Sequence, residues 1–194
     1  MPPRYQILIS NEQRVVKMPA RALKTAAETV LRDEQVAQAE ISVALVGNAR
    51  IHEVNRQFLK HDYPTDVISF LLESEQLEPL EEPPAKVAGK STGLKRLSGQ
   101  PARPPATVRR GRGLRLEGEI VIGAEYAAEL ADQYDWTATE EITLYLVHGL
   151  LHLCGYDDLT PSEKRVIRRR EKEILEQLNI TASYQSRNNK RRPE

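Results

Sequence analysis

The sequence predicts one α+β domain: a small mixed four-stranded sheet with about five helices. Three observations point there. Short apolar segments alternate with helical patterns along the first part of the chain, and helical patterns alone fill the last part. The chain has 194 residues, 40% hydrophobic and 29% charged, which suits one globular domain with a real core. One late helical segment is apolar on nearly every side, so it has to lie inside that core.

Residues 5–10 (YQILIS) read as the first strand. Pro19 then opens a helix, ARALKTAAETVLRD, whose apolar residues recur three and four apart. Residues 41–46 (ISVALV) form the second strand, which Gly47-Asn48 ends. A helix is expected from about Ala49 to Lys60, a third strand at 65–72 (TDVISFLL) and a fourth at 116–123 (LEGEIVIG). Three helices follow.

Between the last two strands the composition changes. Residues 73–82 carry Glu73, Glu75, Glu78, Glu81 and Glu82, whereas residues 83–116 carry no acidic residue and nine basic ones. The stretch 73–115 also holds six of the twelve prolines and five of the ten glycines. Such a composition buries too little apolar surface to offset the entropy of ordering, so 73–115 reads as a disordered insertion in a domain spanning 1–180. Residues 181–194 read as a flexible polar tail.

Lys plus Arg equals Asp plus Glu at 28 each, so net charge points to no particular partner. A single cysteine, Cys154, rules out an internal disulfide and fits a reducing cytoplasm. The first residues lack the apolar core of a signal peptide, and no apolar run reaches the roughly 18 residues that span a membrane.

The chemistry concentrates in residues 137–163, TATEEITLYLVHGLLHLCGYDDLTPSE. Thr137 and Glu140 make a capping box that starts the apolar helix, and Gly155 stands where a left-handed C-terminal cap belongs. Thr160, Pro161 and Glu163 announce the next helix. His148 and His152, four apart, share one helix face. Burying two imidazoles is costly unless they are satisfied, and together they can grip a metal ion. Asp158, three residues beyond the turn at Gly155, can fold back as a third ligand. Three protein ligands leave one position of a zinc ion open, the mark of a catalytic site. The expected cofactor is one Zn2+ per chain on His148, His152 and Asp158.

The spacing H-x3-H-x2-G-x2-D resembles that of the metzincin proteases, in which glutamate follows the first histidine as general base. Here that residue is Gly149, which speaks against peptide cleavage and for another hydrolysis. One alternative is a zinc hydrolase of another class, protease-like in its metal spacing.

The stretch HGLLHLCGYD at 148–157 resembles the signature of the YbeY family. Pro64–Phe70 (PTDVISF) resembles that family's PTDVLSF strand, and Gly118–Ile122 (GEIVI) its GDIVI strand. The resemblance covers about residues 41–178 outside the insertion. It implies a zincin-like α+β fold and a metal-dependent, single-strand-specific endoribonuclease in ribosomal RNA maturation and ribosome quality control. Single-stranded RNA, ribosomal RNA above all, is the implied partner, with the ribosome or its proteins beside it and no membrane; the alternative under the same resemblance is a non-catalytic ribosome-assembly factor with a structural zinc. The family holds zinc with three histidines, and the third is Asp158 here. Leu59 stands where many members carry an arginine thought to serve the substrate, and Glu119 replaces an aspartate. No catalytic base is assigned; Asp157 and Glu119 are candidates by motif position. His52, His61 and the basic run 164–172 read as surface features, and Cys154 as a small core residue.

Overall fold

The computed structural model describes residues 3–77, 109–134 and 136–180. Its elements run β1 (Arg4–Asn11), α1 (Ala20–Asp33), β2 (Gln38–Val46), α2 (Asn48–Val54), a π-helical turn (Asn55–Leu59), β3 (Val67–Gln76), β4 (Leu114–Gly123), α3 (Ala124–Tyr134), α4 (Ala138–Leu153) and α5 (Pro161–Gln177). The strands form one sheet in the order β1-β2-β4-β3. β1, β2 and β4 are parallel, and β3 returns antiparallel along β4. This is the mixed four-stranded sheet with five helices that the pattern predicts.

Alternation along the strands divides the sheet into two faces. Ile41, Val43 and Leu45 of β2 and Leu116, Ile120 and Ile122 of β4 point to one face and join the main core with α1, α3 and α4. On the other face, Ile51 and Val54 of α2 pack with Val46 and Ile68 in a small second cluster. α4 is central, buried against the sheet, α1, α3 and α5. Residues 142, 146, 147, 150 and 151 of α4 are fully out of solvent. That agrees with its nearly uniform apolar sequence.

Gly149 shows how closely α4 approaches the sheet. A Cβ there would stand 3.2 Å from Cγ2 of Ile120 and 3.4 Å from Cγ2 of Val67. The residue that replaces the protease glutamate therefore faces the sheet, where a longer side chain has no room.

β3 runs on to Gln76 and β4 starts at Leu114, so both edges of the expected insertion are strand. Sheet pairing supplies the reason: Glu73, Ser74, Glu75 and Gln76 lie opposite Glu117, Leu116, Arg115 and Leu114 in the ladder, past a bulge after Leu71. Polar residues are tolerated there because β3 is an edge strand facing water. Residues 78–108 of the expected insertion and the tail 181–194 lie outside the described residues.

Candidate metal centre

The site is built where α4 ends. Thr137 starts the helix as predicted: its hydroxyl accepts from the Glu140 N–H, and the Glu140 carboxylate accepts from the Thr137 N–H. At the other end, Gly155 takes φ +89°. The N–H groups of Gly155 and Tyr156 donate to the carbonyls of His152 and Leu151, closing the helix and reversing the chain. The second capping box, Thr160 with Glu163, launches α5 back across α4.

His148 and His152 come together on the helix face that meets α5 and this turn. Their Nε2 atoms stand 3.0 Å apart, with ring planes 87° to each other. The opposite nitrogen of each ring is already engaged. Nδ1 of His148 lies 2.7 Å from Oε1 of Glu171, a buried residue of α5. Nδ1 of His152 lies 3.0 Å from the Tyr156 carbonyl oxygen. Both partners are acceptors, so each ring donates from Nδ1, and in a neutral ring Nε2 is left as a bare lone pair. Two lone pairs facing at this distance require a cation between them. Imidazole nitrogens at about 2.0–2.1 Å on a tetrahedral zinc would stand roughly 3.3 Å apart, so the pair fits such an ion with little adjustment. Acceptors behind ligating histidines are the usual means of fixing tautomer and ring orientation.

Without a metal, a proton takes that place, and it belongs to one ring. Burial pulls the pKa of His148 down, but the hydrogen bond and charge of Glu171, with Asp66 and Asp158 nearby, outweigh it and raise it. Burial and the neighbouring His148 hold His152 low.

Asp158 follows the turn, with its N–H donating to Oδ1 of Asp157 at 2.7 Å. Its charge acts on both histidines. Among the described residues, however, no three His, Cys, Asp or Glu side chains converge closely enough to enclose a metal. The structure thus joins the two histidines and leaves Asp158 beside them. Asp157 also lies near enough to bias His152. Glu119 does not belong to the site. Its neighbours Gly118 and Ile120 face Leu153 and Gly149 of α4, so its own side chain is turned to the opposite face of the sheet, in solvent.

A buried polar network backs the turn. Glu34, at the end of α1, is fully buried. Its carboxylate accepts from the Tyr156 hydroxyl at 3.0 Å and from Nη2 of Arg170 at 2.7 Å. Burial, then the Glu34 charge, push the Tyr156 hydroxyl up to about 12, so it remains a donor. Arg170 also pairs with Asp33 and Glu173. The basic run on α5 is therefore no uniform face: Arg168 and Arg169 are exposed, while Arg170 is a core ion pair. Arg110 donates to the Gly155 carbonyl at 2.6 Å and lies 4.8 Å above the Tyr156 ring. Cys154 is buried, which pushes its thiol up and leaves it a core residue. Sequence reasoning missed Glu171 and Glu34, because nothing local distinguishes them from the other glutamates of two charged helices.

Leu59 ends the π-helical turn, exposed. His52 pairs with Asp62 at 2.8 Å. His61 stacks on Tyr63 with ring centroids 5.3 Å apart.

Fold and site together define a single-domain α+β protein that holds a paired-histidine helix between a mixed sheet and a carboxylate-bearing helix. Residues 8–179 match the profile of the family described as Endoribonuclease YbeY. The chain is 32% identical to the endoribonuclease YbeY of Bacillus subtilis (strain 168), over 90% of this chain and 92% of that one. With the endoribonuclease YbeY of Pelotomaculum thermopropionicum it shares 33% identity, over 90% of this chain and 98% of that one. Among solved structures, the solution structure of TM1509 from Thermotoga maritima has the same fold, with a TM-score of 0.50 at 21% identity, covering 92% of this chain and 95% of that one. The chain belongs to the endoribonuclease YbeY family. No helix among the described residues is long and apolar enough to cross a membrane.

Proposed function

We propose that this protein is a zinc-dependent endoribonuclease that cuts single-stranded RNA, ribosomal RNA in the first place, during ribosome maturation and quality control in the cytoplasm. RNA as substrate comes from the family to which the chain belongs. The observation that carries the metal is the facing Nε2 pair at 3.0 Å with both Nδ1 atoms already committed to acceptors.

His148 and His152 would hold the ion, with Asp158 as third ligand. Two imidazoles and a carboxylate are a donor set that zinc accepts. The metal, when bound, supplies Lewis acidity toward a phosphoryl oxygen and makes water a better nucleophile near neutral pH. The chain supplies the rest. Glu171 fixes the ring of His148 and makes it more basic, and the Tyr156 carbonyl does the orienting for His152. Asp66 and Asp158 add negative charge, which favours a cation at the pair. Gly149 faces the sheet, so the site has no glutamate where the metalloprotease base would stand.

The test is cleavage of labelled single-stranded and double-stranded RNA, with elemental analysis of the same preparation. Zinc near one per chain and cleavage of the single strand alone, lost on chelation and restored by zinc, is the expected result. Zinc at full occupancy with no RNA cleaved would replace this reading by a structural metal.

A further inference from the structure

The segment between α2 and β3 carries several large rings that stand largely in solvent. Phe58 is 57% exposed and Tyr63 is 55% exposed. His61 is also exposed, and its ring lies parallel to that of Tyr63, with 10° between planes. Phe58 is braced edge-on by Phe70 at a centroid distance of 5.3 Å, on the α2 face of the sheet, so it stands apart from the His61–Tyr63 stack. Leaving such rings in water forgoes much of the free energy that burial would provide.

The backbone beneath them is not a loose loop. Asn55, itself buried, secures three of its positions. Its carbonyl accepts from the N–H of Lys60 and, at 3.4 Å, from that of His61. Its side-chain amide donates to the Tyr63 carbonyl at 2.8 Å. Lys60 sits in the left-handed region at φ +62°, a conformation that costs a non-glycine residue and so reflects constraint by its surroundings. The π-helical turn is a further irregularity of a kind often found at functional sites. The side chains of Arg56 and Lys60, both exposed, alternate with the rings.

The position of this segment links it to the metal centre. Three residues past Tyr63 is Asp66, whose charge is felt by His148, and the next residue, Val67, packs against Gly149 on the histidine helix. Rigidly held rings with cations among them are what unpaired bases recognise, since every base offers a π face and its phosphates seek positive charge. Asp62, the acidic residue among them, is paired with His52.

We propose that His61 and Tyr63 form a base-stacking platform that seats single-stranded RNA beside the histidine pair. The inference rests on the endoribonuclease reading. It adds where the strand lies and why an unpaired strand is favoured: bases in a duplex are already stacked on one another.

The experiment measures binding of a labelled ten-nucleotide oligouridine to the full chain in chelator, where no cleavage occurs. An abasic oligomer of equal length carries the same phosphates without bases. Tyr63→Ala and His61→Ala should each weaken oligouridine binding about tenfold while hardly changing abasic binding. Tyr63→Trp should keep wild-type affinity. All are surface changes, and unchanged melting temperatures would confirm folding. Equal losses on both oligomers, or wild-type binding by both alanine variants, would overturn the platform. In zinc, those same variants should raise KM for RNA with kcat little changed. Wild-type protein that cleaves RNA while Tyr63→Ala keeps its KM refutes the platform alone. Wild-type protein that neither binds nor cleaves RNA refutes the functional reading with it.

Discussion

The two histidines of the pair have the same chemistry but are secured in different ways. His152 is held by its own neighbourhood: the acceptor on its Nδ1 is the carbonyl of Tyr156, four residues on, placed by the turn at Gly155. His148 is held from afar, by Glu171 on α5, twenty-three residues along the chain. A carbonyl brings a dipole and a carboxylate brings a full charge. Glu171 outweighs burial and pushes His148 toward the protonated form, whereas burial and the neighbouring His148 outweigh the carbonyl and push His152 away from it. One helix face thus carries a locally specified ligand and a tertiary one, and each should fail in its own way.

The largest effect should come from removing either ring. His148→Ala and His152→Ala are both expected to leave the purified protein nearly free of zinc and inactive on RNA, because one imidazole cannot replace the pair. Elemental analysis showing undiminished zinc in either variant would dissolve the pair as a site.

Next comes Arg170→Ala. The guanidinium answers a fully buried Glu34 and ties α5 to α1. Its loss leaves a buried charge with the Tyr156 hydroxyl and the Arg110 N–H as its remaining donors. Urea denaturation should register about 3–5 kcal/mol of lost stability. A loss below about 1 kcal/mol would show that the network does not secure α5.

Glu171→Gln separates the tertiary half of the comparison from folding. The amide keeps the shape and a hydrogen-bonding oxygen but removes the charge behind His148. Zinc affinity should fall about 10–100-fold, read by competition with a chromophoric chelator, while the melting temperature of the zinc-free protein moves little. Unchanged affinity would mean that the carboxylate only packs α5 against α4.

The smallest change expected is at the local half. Gly155→Ala meets no atom within 4 Å, so its cost is the backbone strain of φ +89° alone, about 1–2 kcal/mol. Thermal denaturation would measure it. A neutral outcome would show that the turn can re-form without a left-handed residue, and that His152 is held by something other than local chain geometry.

The sequence by itself determined the elements and the capped ends of the last two helices. Helix caps, the glycine turn and apolar period are interactions within a few residues, so Thr137, Glu140, Gly155, Thr160 and Glu163 could be read directly, as could the shared face of His148 and His152. Strand ends were less legible, because β3 and β4 extend one another through pairing that no residue of 73–76 signals alone. Only the tertiary structure decided what stands behind and around the pair. Glu171 and Glu34 look like solvent-facing charges until α1 and α5 close over α4, and Arg170 looks like part of a basic surface until it is buried against them. The same packing turned Glu119, a candidate by motif, to the far side of the sheet. Contacts across many residues depend on how elements dock, and docking is set by the whole apolar surface rather than by any local pattern.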